Sequence, residues 1–259
     1  CLATLGPGAT NLTTGIADAT LDHAPVVAIT GQASLKRTYK EFKQIVDVVA
    51  HFKPITKWNA RVERAEGIPE QVRKAFKIAQ AEKPGACHLE LPSDIAGEEV
   101  EGSPLPVTKV VHPNPDEEAL KEAACLINDA KSPIILAGHG VVRGGASGAL
   151  REFVQHTQIP VAHTFMSKGC LPEDNELCFL SVGLQQHDYV NCGFDRADLV
   201  IGIGYDFAEY EPELWNPKGD KRIVNIDFLS TEVDFDYCPT VELLGDIGRS
   251  LRLLRPLVK

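Results

Sequence analysis

The sequence predicts an α/β protein made of two doubly wound parallel-sheet units, and three observations carry that expectation. Strand-length stretches rich in Val, Ile, Leu and Ala occur at 24–30, 85–91, 133–137, 197–204 and 222–227, and each runs into glycine, proline or aspartate. They lack the strict polar alternation of a half-exposed strand, which is the pattern of strands buried on both faces of a parallel sheet. Between them lie segments with apolar residues at helical spacing, and such alternation requires right-handed crossovers onto a parallel sheet. Residues 96–115 concentrate Gly97, Gly102, Pro104, Pro106, Pro113 and Pro115 with Glu98, Glu99 and Glu101, the composition of an extended linker between two units.

Taken in order, Cys1 to Leu5 reads as a short strand closed by Gly6-Pro7-Gly8. Pro7 fixes one φ, and the flanking glycines allow angles or close approaches that a Cβ forbids. Thr10 or Asn11 is expected to cap a helix running through Leu12, Ile16, Ala17 and Leu21. A glycine-rich turn from strand to helix is where an open α/β sheet holds ligands, and equally a tight connection that holds none. Residues 33–43 are polar and basic, a loop carrying Lys36, Arg37, Lys40 and Lys43. The pattern then predicts a short amphipathic helix from Gln44 to Phe52, ended by Pro54, and a strand from Ile55 to Val62. Ile68 to Ala81 is a helix with Val72, Ala75, Phe76 and Ala79 on its apolar face and Pro69 in its first turn. In the second unit, helices at 116–130, 146–156, 188–194 and 246–254 alternate with strands at 133–137, 159–162, 197–204 and 222–227.

Composition narrows the function classes. A net charge of −10 argues against nucleic acid or an anionic membrane as partner, and no run approaches a membrane span. The seven cysteines form no CxxC pair, which disfavours zinc and a disulfide framework. Cys1, Cys87 and Cys125 sit in apolar periodic surroundings and are expected to be buried free thiols, implying a reducing cytoplasm. His88, His139, His163 and His187 show no metal-ligand spacing and read as core or surface histidines. Gly138-His-Gly140 follows a strand, but Arg143 stands where the third glycine of a dinucleotide fingerprint is due, and Gly202-Ile-Gly204 has no third glycine. These glycines are turn residues of a scaffold or an imperfect nucleotide site.

Gly6-Pro-Gly-Ala-Thr-Asn11, Gly15-Ile-Ala-Asp-Ala19 and Pro25-Val-Val-Ala-Ile-Thr-Gly-Gln32 together resemble the thiamine diphosphate enzymes of the acetohydroxyacid synthase and pyruvate oxidase superfamily. The resemblance implies that residues 1–98 are the C-terminal half of a pyrimidine-binding domain, 99–114 a linker and 115–259 a Rossmann-like central domain. Asp47 to Lys57, Gly204 to Asn216 and Leu243 to Asp246 look like the catabolic, flavin-independent acetolactate synthases. An Arg-Phe-Asp-Asp-Arg segment of the flavin-binding branch is missing near Tyr205–Tyr210, so FAD is not expected.

For the parent enzyme the resemblance implies condensation of two pyruvates to 2-acetolactate and CO2 through a hydroxyethyl carbanion on thiamine diphosphate, with Mg2+, in a cytoplasmic homodimer or homotetramer. It implies that Pro7, Gly8 and Asn11 shape the aminopyrimidine pocket and that Gln44 reaches cofactor or substrate; read without it, Gln44 is a surface glutamine at a helix start. Lys43 stands where other branches carry an aromatic residue or histidine. The family's catalytic glutamate would lie upstream of Cys1 and its Mg2+ motif downstream of Lys259. These 259 residues alone are therefore expected to be inactive, with no metal site. Sulfoacetaldehyde acetyltransferase and glyoxylate carboligase are alternatives within the family, and a non-catalytic FAD- or ADP-binding module is one outside it.

Overall fold

The computed structural model of the chain describes residues 1–108, 110–183 and 189–259. The chain divides into two compact units, Cys1–Lys109 and Val110–Lys259. Each is built on a sheet whose strands all run parallel.

The first unit contains β1 (Leu2–Ala3), α1 (Pro7–Thr10), α2 (Thr13–Leu21), β2 (Val27–Gln32), α3 (Val48–Phe52), β3 (Trp58–Arg61), α4 (Ile68–Gln80), β4 (Cys87–Pro92) and α5 (Ser93–Ala96). Its strand order is β1-β2-β4-β3. Ala9, Ile16, Ala19, Ala28, Val48 and Phe52 pack on one face of the sheet. Ala75, Ala79, Cys87 and Leu89 pack on the other.

The second unit contains α6 (Glu117–Asp129), β5 (Pro133–Ala137), α7 (His139–Arg143), α8 (Ser147–Thr157), β6 (Val161–His163), β7 (Cys178–Ser181), α9 (Asn191–Arg196), β8 (Leu199–Ile203), β9 (Arg222–Asp227), β10 (Val241–Leu244) and α10 (Ile247–Leu254). Its strand order, β10-β9-β8-β5-β6-β7, reads 6-5-4-1-2-3 within the unit, the doubly wound arrangement with its switch point between β5 and β8. One face carries an aliphatic core that includes Leu120, Ile127, Leu150, Phe153 and Leu251. The other carries an aromatic cluster of Phe194, Tyr205, Tyr210, Trp215 and Tyr237. Asp116 caps α6 by accepting from the Glu118 and Ala119 amides, and Asp246 caps α10 by accepting from Arg249.

Several expectations need correction. The helix expected from Gln44 begins at Val48, because Asp47 accepts a hydrogen bond from the Ala50 amide and fixes the start there. The strand expected at 55–62 shrinks to Trp58–Arg61, since Lys53–Ile55 takes a 3-10 turn around Pro54. Cys87 is buried, but Cys1 and Cys125 are exposed, Cys125 on the outer side of α6; all seven thiols are free. Phe76, placed on the apolar face of α4, is 49% exposed and lines a groove with Pro104, Leu105 and Val107. The short edge strands β7 and β10 escape the sequence pattern. The helix expected at 188–194 is seen as α9, while Asp188 and His187 lie outside the described residues. No helix among the described residues is long and apolar enough to cross a membrane.

Candidate functional site

The turn after β1 is set by its backbone. Gly6 sits at φ 56°, ψ −117°, and Pro7 opens α1 at a position where a missing N–H costs nothing. The helix expected through Leu12 to Leu21 is α2, which starts at Thr13 after Leu12, so neither Thr10 nor Asn11 caps it; Asn11 instead ends the separate short α1, its backbone N–H donating to the Pro7 carbonyl. A Cβ on Gly6 would run into the carbonyl of Gln44. Gln44 itself lies in a turn at φ 68°, a left-handed conformation that costs a non-glycine residue about 1–3 kcal/mol and persists only when its surroundings enforce it. A positive-φ glycine and a strained glutamine thus meet backbone to backbone beyond the C-terminal end of a parallel sheet, where such folds hold ligands.

The structure brings the Gly6-Pro7-Gly8 turn against Gln44. Pro7, Asn11 and Gln44 are all exposed, and Gly8 is half-buried. Behind them, the sheet face under α3 is unexpectedly polar. Thr30, Gln32, His88 and Glu90 are fully or almost fully buried there. Glu90 pairs with Arg61 and accepts from Gln32 Nε2 at 2.8 Å. Gln32 Nε2 also donates to the Val46 carbonyl (3.0 Å), and Asn59 Nδ2 donates to the Val49 carbonyl (2.5 Å). His88 Nε2 lies 2.8 Å from Thr30 Oγ1, and its ring packs on Phe52 with centroids 4.5 Å apart. Burial, reinforced by nearby His51, pushes the His88 pKa down to about 4, so the ring is neutral. His51 in turn bonds Thr13 Oγ1 at 2.7 Å, tying α3 to α2. Sequence reasoning missed this layer, although polar residues at i and i+2 in both Thr30–Gln32 and His88–Glu90 are its signature.

In the second unit the switch point is closed from within. Gly138, Gly140 and Gly204 approach so closely that a Cβ on any of them would strike backbone. The Gly140 amide donates to the Gly204 carbonyl at 2.8 Å. The Glu209 carboxylate accepts from the His139 amide (3.0 Å), the Asp206 amide (3.2 Å) and Thr164 Oγ1. Burial outweighs these bonds and raises its pKa to about 6. A carboxylate therefore occupies amides that a dinucleotide-binding unit would offer to phosphate. His163 is buried beside Ser181, its Nδ1 3.3 Å from the hydroxyl.

Residues 120–254, more than half the chain, match the central domain of the thiamine pyrophosphate enzymes. The chain belongs to the thiamine pyrophosphate enzyme family. Residues 1–51 match the family's N-terminal TPP binding domain, the stretch that carries Gly6, Pro7, Gly8, Asn11 and Gln44. A probable acetolactate synthase large subunit of Methanocaldococcus jannaschii is 36% identical over 260 residues, covering 97% of this chain and 44% of that protein. An acetolactate synthase of Bacillus subtilis is 35% identical, covering 96% and 44%. A glyoxylate carboligase of Escherichia coli O157:H7 is 34% identical, covering 98% and 44%. The chain spans less than half the length of these relatives.

Proposed function

We propose that the full-length protein carrying this chain is an acetolactate synthase that joins two pyruvates into 2-acetolactate and CO2 with thiamine diphosphate and Mg2+. The observation that carries this reading is the meeting of the Gly6 and Gln44 turns at the sheet's C-terminal end, within the stretch that matches a TPP binding domain. The residues fit such a cofactor: the side-chain-free Gly6 backbone packs directly on Gln44, and two exposed primary amides flank the turn. Residues 1–98 act as half of the pyrimidine-binding domain, 99–114 as linker and 115–259 as the central domain.

Bound thiamine diphosphate supplies the electron sink for decarboxylating a 2-oxo acid. This chain's residues orient it. Pro7 would offer the cofactor a rigid apolar edge. The Asn11 and Gln44 amides both donate and accept without adding net charge, so Gln44 can hold an amine in one state and stabilise a developing oxyanion in another. Glu209 supports a flavin-independent enzyme, because an internal anion stands at the switch point. A cytoplasmic homodimer or homotetramer completes the proposal.

The test incubates the full-length protein with pyruvate, Mg2+ and thiamine diphosphate, with and without FAD, and measures acetolactate. Acetolactate without FAD is expected. Tartronate semialdehyde from glyoxylate, with no product from pyruvate, would overturn the assignment in favour of a carboligase. Strict dependence on FAD would overturn the flavin-independent reading.

A further inference from the structure

Gln32 is buried, and its amide is used completely. One Nε2 hydrogen goes to Glu90 Oε1 and the other to the Val46 carbonyl, while Oε1 accepts from the Ala33 amide at 2.9 Å. The Ala33 N–H requires an oxygen, and the carbonyl and carboxylate require a nitrogen, so only one orientation of the amide satisfies all three partners. Glu90 is held in turn by Arg61 and is completely buried. Asn59, two residues before Arg61 on the same strand and face, takes the Val49 carbonyl. The sheet thus grips the main chain of 46–49 at two carbonyls, directly after the strained Gln44 turn. An apolar sheet face would pack against α3 equally well but would leave its position along the strands free, whereas a satisfied polar network specifies one register.

We infer that Gln32 and Glu90 are positioning residues for Gln44: the buried carboxylate aims the Gln32 amide, and that amide fixes the turn that presses Gln44 against Gly6. The consequence for cofactor binding rests on the function proposed above; the positioning itself does not. Gln32→Met keeps the side-chain length and removes both donors. Gln32→Glu would set a second carboxylate beside Glu90, and Glu90→Gln keeps an oxygen for Gln32 while discarding the charge.

Hydrogen–deuterium exchange on this chain tests the inference. Gln32→Met should speed exchange at residues 42–52 by tenfold or more and leave α4, packed on the opposite sheet face, within twofold of the parent chain. Glu90→Gln should give an intermediate increase at 42–52. Should Gln32→Met not fold, Gln32→Asn, which keeps the amide but falls one methylene short of Val46, should show the same localised increase. No increase, or an equal increase in α4, overturns the positioning role. The cofactor reading fails separately: localised loosening by Gln32→Met in the full-length protein, with unchanged thiamine diphosphate affinity, would retain the positioning and remove Gln44 from the cofactor site.

Discussion

Acid should destabilise the first unit through one histidine. His88 is completely buried and packed against Phe52, with Nε2 bonded to Thr30 and no partner for Nδ1 among the described residues. Protonation would place a charge and an unpaired donor in this layer, next to His51. Its pKa falls from 6.5 to about 4 on folding. Between these values the unfolded chain binds the proton and the folded chain does not, so stability rises with pH across the window and is lost as pH falls. At about 1.4 kcal/mol per pH unit the full loss is on the order of 3 kcal/mol, a large share of a domain's stability. The assay is urea denaturation at pH 7 and pH 4, followed by Trp58 in a Trp215→Phe background that leaves one tryptophan, since the chain has two. The original histidine should lose about 3 kcal/mol more than a His88→Gln variant between the two pH values. Parallel loss in both chains, or an imidazole that titrates near 6.5 by NMR, would refute the reasoning.

The second unit should respond with the opposite sign. Glu209 has its pKa raised from 4.5 to about 6, so its protonated form favours the fold, and stability falls as pH rises from about 4.5 to 6, by about 2 kcal/mol. Trp215 fluorescence in a Trp58→Phe background should show that slope, and Glu209→Gln should flatten it. Gly6→Ala combines a φ of 56° with a clash on the Gln44 carbonyl and should lower first-unit stability by at least about 1 kcal/mol, measured by denaturant midpoint. Asp116→Ala removes the cap of α6 and should cost about 1 kcal/mol by the same assay in the second unit. Phe153→Ala empties a fully buried site and should cost about 3–5 kcal/mol, enough to threaten folding of that unit.

The fold was legible wherever burial alone dictates residue type. Central strands such as β5 and β9 are enclosed on both faces, and their bounds coincide with the expected 133–137 and 222–227. Edge strands are less constrained: β7 exposes Phe179, β10 exposes Leu244, and each is only four residues long. Two helix starts fixed by a side-chain cap, at Asp116 and Asp246, were legible to within a residue. The start of α3 was misplaced because Ile45 and Val46 continue its apolar spacing, while Asp47 decides where the helix begins.

The candidate site divides along the same physical line. Its exposed residues, Pro7, Asn11 and Gln44, were singled out by the family resemblance; read alone, the Gly6-Pro7-Gly8 turn is equally a tight connection and Gln44 a surface glutamine. What holds them in place was hidden, since Glu90 lies inside the apolar stretch 85–91 and Gln32 lies beyond residue 30, where the strand was expected to end, although β2 continues to it. A buried carboxylate is costly unless paired and hydrogen-bonded, and the bonds that offset its cost here come from Arg61 on β3 and Gln32 on β2, distant in sequence. Only the parallel register, with Thr30 and Arg61 both opposite Glu90, brings them together. The strain at Gln44 and the cost of burying Glu90 are therefore coupled: the network that neutralises the carboxylate also anchors the segment immediately following the strained turn. Removing either Gln32 donor should relax the turn before it unfolds the unit.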